Sequence, residues 1–143
     1  MYKKIILAIF ISLLTFQGWS QNTNGPVLQH RIVMQLSSND TLVWKGLMNN
    51  LKHLKAGWSD SLVIEVVAHG PGLDFLTKGK TTQQEKISHF KQMGIVFIAC
   101  ENTMMERKIP KESIIAEATF VRMGIGEIVQ KQEQGWSYIK AGF

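Results

Sequence analysis

The 143-residue sequence predicts an α/β fold in which a parallel sheet is covered on both faces. Apolar runs of strand length alternate with segments of helical period, which is the rhythm of βαβ units. The runs are continuously apolar, as in strands buried on both sides, and lack the in-out alternation of a half-exposed sheet. No internal repeat or low-complexity tract breaks the alternation.

The first strand is read over residues 31–36, Arg-Ile-Val-Met-Gln-Leu. Ser37-Ser38-Asn39-Asp40 follows and offers Asn39 or Asp40 as a helix cap. A helix is expected from about Thr41 to Ala56, with Val43, Leu47, Leu51 and Leu54 on one stripe and Gly57 as its stop. The β-branched run Leu62–Ala68 reads as the second strand and ends abruptly at His69-Gly70-Pro71-Gly72. A short helix over 73–78 comes next, then a longer one opening at Thr81 or Thr82. There Thr82-Gln83-Gln84-Glu85 fits a capping box, Ile87, Phe90 and Met93 point inward, and Gly94 ends the helix. The third strand, 95–99, is purely apolar and stops at Cys100. A short helix is expected from Asn102 or Thr103 and a turn at Pro110. A fourth strand covers 118–121. Ile125, Ile128, Val129 and Gln132 mark a last helix stopped by Gly135, and 136–139 offers an edge strand.

The N-terminus reads as a secretory signal peptide over 1–20. Lys3 and Lys4 precede an uncharged apolar run from Ile5 to Phe16, and Gly18-Trp19-Ser20 supplies small residues for cleavage before Gln21. That run falls well short of the roughly 20 residues a spanning helix needs. A polar linker over 21–29 leads into the domain, 30–143, and the expected location is periplasmic or secreted. Loss of Lys3 and Lys4 lowers the net charge from +5 to +3. The remaining positives are scattered, so no nucleic-acid groove is expected, and no membrane association is expected after cleavage.

The single cysteine, Cys100, excludes an intrachain disulfide, a lipoprotein anchor, a C-x-x-C redox pair and a thiolate zinc cluster. His30, His53, His69 and His89 lack metal-ligand spacing, and no cofactor is expected. P-loop, G-x-G-x-x-G and G-x-S-x-G motifs are absent. In an open parallel sheet, ligands bind beyond the carboxyl ends of the strands. That selects the loops at Ser37–Asp40, His69–Gly72 and Cys100–Thr103, with Met123-Gly124-Ile125-Gly126 as a fourth. Cys100 stands where a strand meets a helix start, whose unpaired N–H groups favour a thiolate; a lone cysteine there can equally be a small core hydrophobe. His69 is its candidate base or proton carrier, or else a ring that only closes the loop. Gly70, Pro71 and Gly72 either cradle an anion or simply make the turn. The Met104-Met105 pair lines an apolar pocket or packs the interior.

Four segments, in order, resemble the DsrE-like sulfur-relay family (DsrE/DsrF/YchN type). They are Leu36–Asp40 with Trp44-Lys45, then Val66–Gly72, Val96–Thr103 and Gln134–Lys140. The resemblance implies a three-layer α/β/α fold with a mainly parallel sheet of about five strands, and homo-oligomers, often trimers or hexamers. It also implies that a cysteine ending the third strand, here Cys100, accepts sulfur as a persulfide and passes it on. His69 stands beside it as the second catalytic candidate. Gly70, Pro71, Gly72, Asn102, Thr103, Ser37 and Asn39 are the expected ligand-binding residues of the strand-end cleft. The family's better-understood members are cytoplasmic and serve sulfur oxidation or tRNA thiolation, so a signal peptide is a departure. Two function classes stand: a sulfur carrier using Cys100, or an oligomeric small-ligand-binding module of the same fold.

Overall fold

The computed structural model describes residues 29–142. The signal peptide expected over 1–20 lies outside the described residues, as does the expected linker except for its last residue. Five strands, β1 (His30–Leu36), β2 (Leu62–Ala68), β3 (Val96–Cys100), β4 (Ala118–Val121) and β5 (Ser137–Lys140), form one sheet. Its order is β4-β3-β2-β1-β5 and every pairing is parallel. The helices are α1 (Thr41–Trp58), α2 (Gln84–Gln92), α3 (Glu101–Glu106) and α4 (Gly124–Glu133). The expected α/β fold with a five-stranded parallel sheet is the one observed.

The strand order decides where the helices lie. From β1 to β4 the chain steps across the sheet in one direction, and right-handed crossovers put those connections on one face. From β4 it returns past three strands to the far edge, so the same handedness puts α4 on the other face. The core divides accordingly. Trp44, Leu47 and Leu51 of α1, Ile87 and Phe90 of α2 and Met104 of α3 pack on the face of Ile32, Met34, Ile64 and Phe97. Ile128 of α4 packs on Val33, Val67 and Ile98.

Several local expectations are corrected. Helix α1 does not stop at Gly57. It runs to Trp58, whose ring stacks on His30 at 4.0 Å, and the chain turns at Ser59 with φ 45°. The Thr82–Glu85 capping box does not form. Helix α2 begins at Gln84, and the Thr81 hydroxyl accepts the Gln83 N–H at 3.2 Å instead. The helix expected over 73–78 is a 3-10 helix from Gly70 to Leu76, and α3 starts at Glu101, directly after Cys100. Met93 is exposed rather than inward, and of the residues that mark the last helix Ile125 and Val129 are exposed. On α4 the inward place beside Ile128 is taken by Lys131, whose Nζ meets Glu65 of β2 at 2.6 Å. That pair accounts for the one charge in an otherwise apolar strand.

Candidate functional site

Connections that leave neighbouring strands for opposite faces open a crevice between them. Here that happens at the ends of β3 and β4: β3 runs into α3 on one face, and β4 into α4 on the other. Cys100 is the last residue of β3 and is paired in register with Val121 of β4. The topological switch point therefore falls at Cys100.

Two helix N-termini converge on it. Cys100 is the N-cap of α3, and Gly124, the first residue of α4, donates its N–H to Cys100 Sγ at 3.2 Å. Glycine suits this approach, because a Cβ at Gly124 would stand 3.1 Å from Cys100 Cβ and 3.2 Å from Val67 Cγ1, close enough that the neighbours would have to give by a few tenths of an ångström. Thr103, buried on α3, accepts the Gly70 N–H at 2.9 Å through Oγ1. That leaves its hydroxyl proton for the sulfur. Cys100 itself is 5% exposed. Burial, the largest single influence, pushes the thiol pKa up. The Thr103 N–H, the Gly124 N–H, the Thr103 hydroxyl and the Asn102 N–H together outweigh burial and hold the thiol below its ordinary value.

His69 follows β2 in extended conformation. The Ala68–Ala99 register, carried one residue on, sets it opposite Cys100, one strand spacing of about 4.8 Å away. Its ring bonds in the other direction, with Nε2 2.7 Å from Gln35 Nε2 at the end of β1. The Tyr138 hydroxyl of β5 in turn donates to Gln35 Oε1. Tyr138, Gln35 and His69 thus form a hydrogen-bonded row across three strand ends. A ring nitrogen that accepts an amide N–H belongs to neutral imidazole, and burial pushes the His69 pKa down in the same sense.

The loop after β2 is tied on both sides. Gly70 takes φ 52°, and its carbonyl accepts from Arg107 Nη1 at 2.9 Å, while Arg107 Nη2 pairs with Asp74 at 2.8 Å. Gly72 lies so close to β1 that a Cβ there would come within 2.2 Å of Leu36 O. Pro71 is exposed on the rim. Of the expected site residues, Gly70 and Thr103 are joined by a direct hydrogen bond, Cys100 takes its own from Gly124, and the Asn102 N–H donates to Arg122 O at 3.1 Å. Ser37 and Asn39 sit at the end of β1, Asn39 fully on the surface, and no hydrogen bond links them to the sulfur. Met104 is buried and Met105 exposed, and both line a groove of about 440 Å³ with Lys108 and Arg122. The reading from the sequence missed Gln35, Tyr138 and Arg107, and gave Gly124 only as part of a fourth strand-end loop. Among the described residues, no group of three or more His, Cys, Asp or Glu is placed to hold a metal, and no helix is long and apolar enough to cross a membrane.

A parallel five-stranded α/β sheet with a single cysteine at its topological switch point defines the class. The chain belongs to the DsrE/DsrF-like family, whose model matches residues 33–141. It is similar to a solved protein of unknown function, MTH1491 from Methanobacterium thermoautotrophicum, at 28% identity and a TM-score of 0.74, covering 78% of this chain and 99% of that one. It shares its fold with BT1422, a conserved protein of unknown function from Bacteroides thetaiotaomicron, at 19% identity and a TM-score of 0.62, covering 82% and 99%. No curated protein matches the chain.

Proposed function

We propose that the protein is a sulfur carrier whose Cys100 accepts and releases a single sulfane sulfur. The observation that carries this reading is the Gly124 N–H of α4 donated to Cys100 Sγ at 3.2 Å, at a strand end where the polar groups of Thr103 and Asn102 also hold the thiol pKa down. They favour the thiolate, which is the attacking form in thiol chemistry. The thiolate attacks the outer sulfur of a persulfide donor, R–S–SH. A Cys100 Sγ–S bond forms, the donor's S–S bond breaks, and its electron pair leaves on R–S⁻. A second thiolate takes the outer sulfur by the same exchange, so no oxidant or reductant is consumed. The outer sulfur stands about 2.05 Å beyond Sγ, and the same donors serve its negative charge. His69, one strand away, has its Nε2 occupied by the Gln35 amide, so its neutral ring has only an Nδ1–H left to offer as a donor. The family membership supports the reading.

The test is intact-mass spectrometry after incubation with glutathione persulfide. The wild-type chain should gain one sulfur, lose it to added thiol, and show no gain as Cys100→Ala. A wild-type chain that gains nothing would overturn the carrier in favour of the ligand-binding module. The Lys3-Lys4 region, the apolar run and the Gly18-Trp19-Ser20 site further support an exported carrier. Sequencing of the exported chain should begin at or near Gln21; an intact Met1 on a membrane-embedded chain would make the segment an anchor.

A further inference from the structure

Away from Cys100, on the opposite face of the sheet, α1 and α2 lie side by side with a furrow of about 560 Å³ between them. Helical spacing builds both walls. Met48, Lys52, Lys55 and Ala56 recur along one stripe of α1, and Lys86, His89, Phe90 and Met93 along α2 and its end. Met48 and Phe90 form a buried floor, at 2% and 7% exposure, and Met93 is the one exposed large hydrophobe of the furrow. The rim carries three lysines and no acid. Among the described residues, none of Lys52, Lys55 and Lys86 has an ion-pair partner; the paired cations are Lys80, Arg107, Lys111 and Lys131. Glu85 lies on the other flank of α2, in a groove it shares with Glu117.

We infer that this furrow is a binding site for a free single-chain anionic amphiphile such as a fatty carboxylate. The apolar chain lies along Met48, Phe90 and Met93, and the carboxylate sits among Lys52, Lys55 and Lys86. Size and shape select a small molecule over a larger partner. The volume lies within the range of about 300–1,000 Å³ typical of small-molecule sites. Met48 and Phe90 are recessed and Met93 alone is exposed, whereas a membrane-docking face needs a row of projecting apolar residues. The absence of any acid on the rim selects an anion over a cation.

The probe is decanoate below its micellar concentration, titrated by calorimetry into the purified protein. Binding should saturate at one molecule per chain. Methionine methyl NMR should show the resonances of Met48 and Met93 shifting while those of Met105 and Met123, which lie elsewhere, stay in place. In Lys52→Glu/Lys86→Glu, both exposed positions, affinity should fall at least tenfold with the circular dichroism spectrum unchanged. Decyltrimethylammonium and acetate should bind at least tenfold more weakly than decanoate. Binding that persists in the charge-reversed variant, equal binding of the cation, or an unmoved Met93 methyl would overturn the site. So would co-sedimentation with phosphatidylglycerol vesicles in the absence of decanoate binding. Cys100→Ala should bind decanoate like wild type, so this site and the sulfur carrier stand or fall separately.

Discussion

At the scale of the residue, the sulfur of Cys100 depends on a neighbour that contributes no side chain. Gly124→Ala puts a methyl group tightly against Cys100 Cβ and Val67 Cγ1, and a retreat of α4 by a few tenths of an ångström to relieve it lengthens the N–H···S bond. The thiol pKa should rise toward the ordinary value of about 8.5. The pH profile of iodoacetamide alkylation, measured on wild type and variant, should show the midpoint moving up. His69 gives a second pH effect, on stability. Its folded pKa is held down by burial, so below about 6.5 the unfolded chain binds a proton that the folded chain refuses. Stability should therefore fall as pH drops from 6.5 toward the folded pKa, and His69→Gln should remove that part of the slope in urea titrations at several pH values. Cys100 was legible because a lone cysteine ends an apolar run. Gln35 and Tyr138 were not, because their contact exists only once two strands 103 residues apart lie side by side.

At the scale of the element, two close fits hold pieces together. The first is the passage of the 3-10 turn under β1, where Gly72→Ala would drive a methyl into Leu36 O. Relief requires the turn to move away from β1, and overpacking of this kind costs about 1–3 kcal/mol. The loss should appear as a lower urea midpoint with little change in slope. The second is the clamp of α4 on β2 through Lys131 and Glu65, whose side chains are 17% and 13% exposed. Lys131→Met leaves a largely buried carboxylate unpaired and should cost about 3 kcal/mol, most of it recovered in Glu65→Leu/Lys131→Met. Strands and helix periods were readable because burial imposes them along the chain itself. Helix ends were harder. Gly57 looked like a stop, yet a helix can continue through glycine when its next turn has something to pack on, here Trp58 on His30. The Thr82–Glu85 string had the right letters for a cap, but the Thr81 hydroxyl took the Gln83 N–H.

At the scale of the whole molecule, the two sides of the sheet are unequally dressed. Three helices cover one face and α4 alone the other, and Met123, Ile125, Val129 and Tyr138 are exposed on or beside α4. We propose that copies of the chain associate through this side, with Tyr138 as an anchor. Trp136 is half-buried beneath Lys131, whose Nζ lies 4.5 Å from its ring centroid, and is less available as an anchor. Light scattering at micromolar concentration should give a trimer or hexamer, and Ile125→Asp/Val129→Asp should yield monomers. The parallel sheet was legible from the texture of the runs. The placing of β5 was not, since 136–139 announces an edge strand without saying which edge. Right-handed return from β4 supplies the missing constraint only when the order is known.

That return has a consequence in time. Of the five strands of the described residues, β1 is made first, and β5, the strand that covers its outer edge, is made last. Until β5 joins it, β1 presents an open ladder of N–H and C=O groups beside apolar stretches of the chain, the circumstance in which strands pair with the wrong molecule. Closing the sheet requires a contact that spans almost the entire domain, which makes it a late and slow event. A chain ending at Trp136 should therefore reach the soluble fraction in much lower yield than the full chain, although it loses only seven residues.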